Sequence, residues 1–220
     1  MKTLIYTLLA CFALITPAHA ATEKDEGKIS LGGILINTDG YTVDFAGEKS
    51  FERDRFQYII SGAYTHQEDT SGTVKMSRGF GGAKANYALD QKHYVFMETR
   101  YDYNRFRKDP EQFVAAPGYG YKLARTDNFK ASNEVSVGVL FRRSDWEPVV
   151  RNSLWMKYKF APNTSISNKL LVERGSETFI RNILEVEYNL SKSVTFSLKN
   201  QMVHDPRVES VTSFNLGLGF

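Results

Sequence analysis

A twelve-stranded antiparallel transmembrane β-barrel, with both termini periplasmic, is the fold class this sequence predicts, on three observations. The first is the stretch 214–220, where Phe214, Leu216, Leu218 and Phe220 share one face of a strand and small or polar residues fill the other. A barrel in lipid must pair its last strand with its first, because an open edge there leaves backbone groups unsatisfied. The second is a series of period-two segments that fills nearly all of 28–220. The third is that no window after residue 20 approaches the ~18 apolar residues of a membrane helix.

In chain order, Lys2 supplies a short positive n-region, Leu4 to Ile15 an apolar h-region, and Ala18-His19-Ala20 a small-x-small cleavage site. Residues 1–20 therefore read as a signal peptide, with an uncleaved anchor as the alternative. Leu8-Leu9-Ala10-Cys11 resembles a lipoprotein box, but the apolar run continues past Cys11, which reads as an ordinary h-region residue. Residues 21–27 read as a short periplasmic segment and 28–220 as the barrel. Cys11 is the only cysteine, so the exported part carries no disulfide framework. The net charge is +3, with no Lys/Arg run, and excludes a nucleic-acid footprint.

The expected strands are 28–37, 41–50, 54–67, 75–88, 92–104, 111–123, 129–142, 149–160, 163–173, 178–190, 193–203 and 209–220. Each is long enough for the about 9–11 residues that cross a bilayer. Tight turns at 89–92, 161–164 and 189–193 alternate with longer charged connections at 68–74, 105–110, 142–148, 173–177 and 204–208, as periplasmic turns and external loops do. Two places fit less well: Asn37 to Gly40 looks too tight for an external loop, and Gly47 to Arg53 too long for a periplasmic turn. Pro110, Pro148, Pro162 and Pro206 fall in connections. Pro117 falls inside the sixth strand, where a bulge or a late strand start is expected.

One face of these strands is apolar, with aromatics near strand ends: Phe129, Phe141, Phe160, Tyr188, Tyr101 and Tyr103. The opposite face carries Asp44, Glu48, Lys84, Glu98, Arg100, Asp102, Lys122, Lys130, Glu134, Lys157, Lys159, Lys169, Glu173, Arg181, Glu185, Glu187 and Lys199. In a membrane barrel this is the inside. Its near balance of sign points to a cross-linked interior rather than a basic channel. The clusters Glu98/Arg100/Asp102 and Arg181/Glu185/Glu187 beside Lys157/Lys159 are the candidate lumen-lining charges. Twelve strands exceed the eight whose interior side chains can fill completely.

The chain resembles a family of bacterial outer-membrane proteins known as domain of unknown function 481, one member of which is described as a salt-induced outer-membrane protein. The resemblance is carried by Gly33 to Gly40, by Glu98-Thr99-Arg100-Tyr101-Asp102, by Pro117-Gly118-Tyr119-Gly120-Tyr121-Lys122-Leu123, by Val172-Glu173 before a Gly-Ser connection, and by the final aromatic. It covers essentially all of 28–220. The chain departs from the family where Ile36 replaces a glycine before Asn37. The resemblance implies an outer-membrane location, brings no catalytic residues and suggests a tie to salt or osmotic stress. It also implies that Phe220, with Phe214, Leu216 and Leu218, is a signal to the barrel assembly machinery.

Three function classes remain. A passive barrel is either a narrow porin for small solutes or ions or an envelope-stabilising protein; its partners are outer-membrane lipids and the assembly machinery. A lipid-modifying enzyme needs a nucleophile and base in reach of each other. His66, His93 and His204 are scattered over loop ends, with Ser61 or Ser71 as the serines nearest His66 in sequence. A soluble periplasmic β protein would turn the charged face outward. No P-loop, dinucleotide fingerprint, calcium loop or metal cluster is present, and no cofactor is expected.

Overall fold

The structure, a computed structural model, describes the backbone of residues 25–37, 40–107, 109–143, 145–191, 193–204 and 208–219, and the side-chain surroundings of 43, 45–107, 109–143, 145–191, 193–204, 210 and 212–218. The expected signal peptide 1–20 with Cys11, the stretch 21–24 and Phe220 lie outside the described residues.

The strands are β1 (Asp25–Asn37), β2 (Gly40–Arg53), β3 (Phe56–Asp69), β4 (Val74–Ala88), β5 (His93–Asn104), β6 (Glu111–Arg125), β7 (Phe129–Arg142), β8 (Trp146–Ala161), β9 (Thr164–Arg174), β10 (Thr178–Asn189), β11 (Val194–His204) and β12 (Val208–Gly219). Each is antiparallel to its sequence neighbours, and β1 lies beside β12 from Lys28↔Gly219 to Gly32↔Asn215. This is the all-β, antiparallel, membrane-barrel type of fold that the alternation predicts.

The connections at one end are uniformly short. Asp54 and Arg55 join β2 to β3 directly, since Arg53 already pairs with Phe56. Asp54 takes a left-handed φ of 52°, the backbone state that hairpin turns matching the strand twist require and that Asp tolerates. The expectation of a long connection over Gly47 to Arg53 is thereby corrected: those residues are strand, paired from Gly47↔Gly62 to Arg53↔Phe56. At the β4–β5 turn the Asp90 carboxylate accepts the backbone N–H groups of Lys92 (2.7 Å) and His93 (2.8 Å). Those two donors hold its carboxyl below the usual carboxylate range.

The opposite end carries the one clearly longer connection, Arg105–Pro110. Thr70–Thr73 is no longer than the β4–β5 turn, and the long connections expected at 142–148 and 173–177 are corrected to three residues each, because β8 starts at Trp146 and β9 runs to Arg174. At β3–β4, Gly72 has a φ of 79° and donates to the Asp69 carbonyl at 3.0 Å.

Two proline expectations are corrected. Pro148 is not in a connection: β8 starts at Trp146, and Pro148 pairs with Val139. Pro117 causes neither a late start nor a bulge. It pairs with Met97 of β5, and the β6–β7 register is the same at Ala115↔Val139 and at Gly118↔Ser136. The ladder skips Ala116 and Pro117, where the missing N–H would face β7. Gly138 makes this possible. A Cβ there would lie 2.3 Å from the Ala115 carbonyl and 2.6 Å from the Ala116 Cβ, so the strands close on each other where the glycine sits. The bulge in β6 falls later, between Lys122 and Ala124.

The outward face is apolar. Val137 is 59% exposed, Val150 53% and Leu123 53%, the reverse of a water-soluble sandwich. Aromatic rings gather at both ends. Phe56 packs against Tyr87 (4.9 Å) and His93 against Tyr121 (4.9 Å) at the short-turn end, and Phe113 against Phe141 (6.2 Å) at the other. These are the girdles of a barrel in lipid.

The charged interior as candidate functional site

Side chains from strands that are not neighbours meet, and they can do so only across the inside of the ring. Arg100 (β5) donates to Glu173 (β9) at 3.0 Å and is paired with Asp102 beside it. Arg151 (β8) reaches Glu98 (β5) at 3.2 Å and Glu173 at 3.0 Å. Glu173 thus holds two guanidinium groups at once. Arg100, Arg151 and Glu173 are each 4–5% exposed. Buried charges need such partners, because removing them from water costs several kcal/mol per ion.

A second crossing lies nearer the short-turn end. Lys84 (β4) pairs with Glu134 (β7), and the Tyr94 hydroxyl donates to the same carboxylate at 2.6 Å. The Lys84 ammonium sits 4.3 Å from the Phe96 ring centroid. The rings of Tyr94 and Phe96 lie over Gly120 and Gly118 of β6. A Cβ at Gly120 would come within 2.1 Å of the Tyr94 ring, and one at Gly118 within 2.3 Å of the Phe96 ring. This is the physical content of the Gly118-Tyr119-Gly120-Tyr121 motif: alternate glycines make room on the inside for two rings from the neighbouring strand, as aromatic side chains do over sheet glycines. Gly120→Ala should therefore displace the Tyr94 ring and its bond to Glu134. The expected loss is about 1–3 kcal/mol of stability, read from the urea midpoint of the refolded protein.

The third feature is an arginine cluster toward the longer-loop end. Arg181 (β10) lies over the Phe80 ring (β4) at 4.7 Å, and Arg100 and Arg107 flank Phe179 at 5.6 and 5.7 Å. Arg78, Arg107 and Arg181 line a cavity of ≈ 30 Å³ together with Asp102, Thr65 and Gln201. The interior charges are not evenly placed, and Arg78, Arg107 and Arg151 add to the basic groups expected there. Arginine dominates this end, while the Lys84–Glu134 and Lys157–Glu187 pairs lie toward the other.

Of the expected lumen-lining charges, Glu98, Arg100 and Asp102 belong to the cross-lumen network, and Arg181 to the cavity. Lys157 pairs with Glu187 at 2.5 Å, and Ser165 donates to Glu187 at 3.3 Å. Glu185 stands opposite Lys199 in the β10–β11 register. Lys159 is exposed near the end of β8. Phe214, Leu216 and Leu218 are exposed on the outer face of β12.

Arg151 falls inside the expected eighth strand at the parity of Lys157 and Lys159 but was not among the expected inner charges, and neither were Arg78 and Arg107, which line the cavity with Arg181. Sequence reasoning also missed a dry patch on the inner wall: Val114, Ala116, Leu140 and Val149 are buried together at 0–4% exposure. Their inward parity could be read from the strands, but their apolar character breaks the charged-inside rule.

The histidines do not form a nucleophile–base pair with the serines weighed above. His66 lies 3.5 Å from Glu68, the Ser71 hydroxyl bonds Asp69 at 2.6 Å, and Ser61 falls on the opposite face of β3 from His66. Among the described residues no group of three or more His, Cys, Asp or Glu is placed to hold a metal ion.

An apolar girdled exterior around a charged interior defines an outer-membrane β-barrel. The chain belongs to the family described as "Protein of unknown function, DUF481", whose profile matches residues 36–220. No curated protein matches the chain by sequence. Solved structures share the fold. The NanC porin is 10% identical, with 88% of this chain and 98% of that one covered and a TM-score of 0.57. An outer-membrane channel of Pseudomonas putida F1 is 9% identical, with 93% and 98% covered and a TM-score of 0.52. The KdgM porin, solved in complex with disordered oligogalacturonate, is 12% identical, with 89% and 98% covered and a TM-score of 0.50. Identities this low speak for the fold alone.

Proposed function

We propose that the chain is a passive, non-enzymatic, porin-like barrel whose twelve strands span the outer membrane, with both termini and the short turns periplasmic and the longer loops outside. It admits small solutes through a narrow lumen and prefers anions at its outer mouth. The observation that carries this reading is the cavity lined by Arg78, Arg107 and Arg181, with Asp102 as its one carboxylate. Arginine presents a fixed, always charged fork of donors to carboxylate or phosphate oxygens. Residues 1–20 serve as the export signal and 21–27 as a short periplasmic lead-in. The final strand, with Phe214, Leu216, Leu218 and Phe220, is the segment presented to the assembly machinery. A role under salt or osmotic stress rests on the family resemblance.

A second reading is favoured by a specific observation. The Arg100–Glu173–Arg151–Glu98 network crosses the lumen beside a dry apolar wall, the build of an envelope-stabilising barrel that conducts nothing. Planar-bilayer recording of the purified protein separates the two. Discrete steps with a reversal potential shifted toward anions are expected for the channel; silence over hours of recording with the folded protein leaves the structural barrel.

A further inference from the structure

On the outer face of β9 to β12 the apolar belt is interrupted by a polar track in two parts, on either side of Leu184. Asn168 (β9) and Asn182 (β10) face each other head to tail, each amide donating to the other at 3.3 Å. Asn200 (β11) stands diagonally beyond, across Leu184, which pairs with both Asn168 and Asn200. The Asn200 amide donates to Thr212 at 2.9 Å and to Ser210 at 3.3 Å on β12. Phe196 and Leu198 flank the track on one side and Met202 on the other, all exposed on the same face. Asn200 lies six residues from Val194 and four from His204, the two ends of β11, so its amide sits within the membrane-crossing part of the strand and not at a headgroup level.

These amides are not satisfied within the chain. Each carboxamide offers two N–H donors and an oxygen with two lone pairs. Asn168 and Asn182 spend one donor and one acceptor on each other, and Asn200 spends its donors on two hydroxyls. Among the described residues nothing accepts the second N–H of Asn168 or Asn182, or donates to the Asn200 carbonyl. The contrast is the other outward pair, Asn133 and Asn152. Beyond bonding each other, they close onto the backbone carbonyls of Ser153 (3.3 Å) and Glu134 (3.4 Å). Open amide groups in hydrocarbon are costly, and acyl chains can answer none of them.

We infer that the β9–β12 face is the interface between two copies of this chain, which dock track to track about a two-fold axis through Leu184. The chemistry selects the occupant. The track keeps both open donors and an open acceptor, so it is complementary to itself, as an isologous interface requires. Lipid headgroups lie at the wrong depth. The inference rests on the membrane reading above but not on conduction.

Because Cys11 in the leader is the only native cysteine, a single cysteine reports the contact. Leu184→Cys leaves every amide of the track in place. Oxidised in isolated outer membranes, it should give a disulfide-linked dimer, whereas Val95→Cys on the outer face of β5 should give none. No dimer at Leu184→Cys, or equal yields at both positions, overturns the inference. Adding Asn168→Leu, Asn182→Leu and Asn200→Leu to Leu184→Cys should cut the dimer yield at least fivefold while heat-modifiable migration persists; an unchanged yield also overturns it. A chain that does not fractionate with the outer membrane removes the membrane reading and this one together, an outcome distinct from a membrane-embedded monomer.

Discussion

Glu173→Gln should cost about 3 kcal/mol of folding stability, because breaking a buried ion pair leaves its partner's charge uncompensated. Glu173 is the carboxylate shared by Arg100 and Arg151, each at 3.0 Å, and all three are buried. The substitution keeps the shape and removes the charge. Each arginine retains one carboxylate, Arg100 that of Asp102 and Arg151 that of Glu98, which places the cost at the low end of what a broken buried pair carries. The measurement is the urea midpoint of the refolded protein in detergent or vesicles, with Lys159→Gln at the exposed end of β8 as a control that shifts it by under about 0.5 kcal/mol. Equal midpoints for the two variants would mean that water, not the protein, solvates the network.

The second large effect is on selectivity. Arg181→Glu replaces a cation at the cavity with an anion and leaves Arg78 and Arg107 facing it. Two unit charges about 4 Å apart interact by roughly 4 kcal/mol at the effective dielectric of a protein surface, and salt screens this only in part. The anion-to-cation permeability ratio should fall about tenfold, about 1.4 kcal/mol at the barrier. The reversal potential across a potassium chloride gradient reads it. An unchanged ratio would place the narrowest point of the path away from the arginine cluster.

Both effects turn on matters the sequence held only in part. Alternation identified the inner face, and Glu98, Arg100, Asp102 and Arg181 were recognisable on it because parity needs only a strand and its direction. Which charges meet depends on register and on the curvature of the whole ring. Nothing local tells Arg100 that Glu173 lies opposite, seventy-three positions on. The same limit hid the segregation of charge, since a near-balanced count cannot say which end the arginines occupy. Pro148 misled for a different reason. A proline is a good marker of a connection, but an outward residue whose missing N–H is not needed by the ladder can sit in a strand. Gly118 and Gly120 were visible as a motif, and their reason, two rings from β5, required the neighbouring strand. Asn133, Asn182 and Asn200 were legible as polar positions on an apolar face, but their pairing was not.

The seam between β1 and β12 has a consequence for how the molecule forms. Every other ladder joins strands adjacent in sequence and can zip outward from its own hairpin turn. The pairing of Lys28–Gly32 with Asn215–Gly219 brings together segments nearly the whole chain apart and spans only five positions. Closing so long a loop carries an entropic cost that no local contact offsets beforehand, and contacts of high sequence separation form slowly. The sheet should therefore assemble through fast local steps followed by one slow joining of its two ends. Substitutions along that short seam should change the time needed to reach the native state more than those in any of the eleven hairpin ladders.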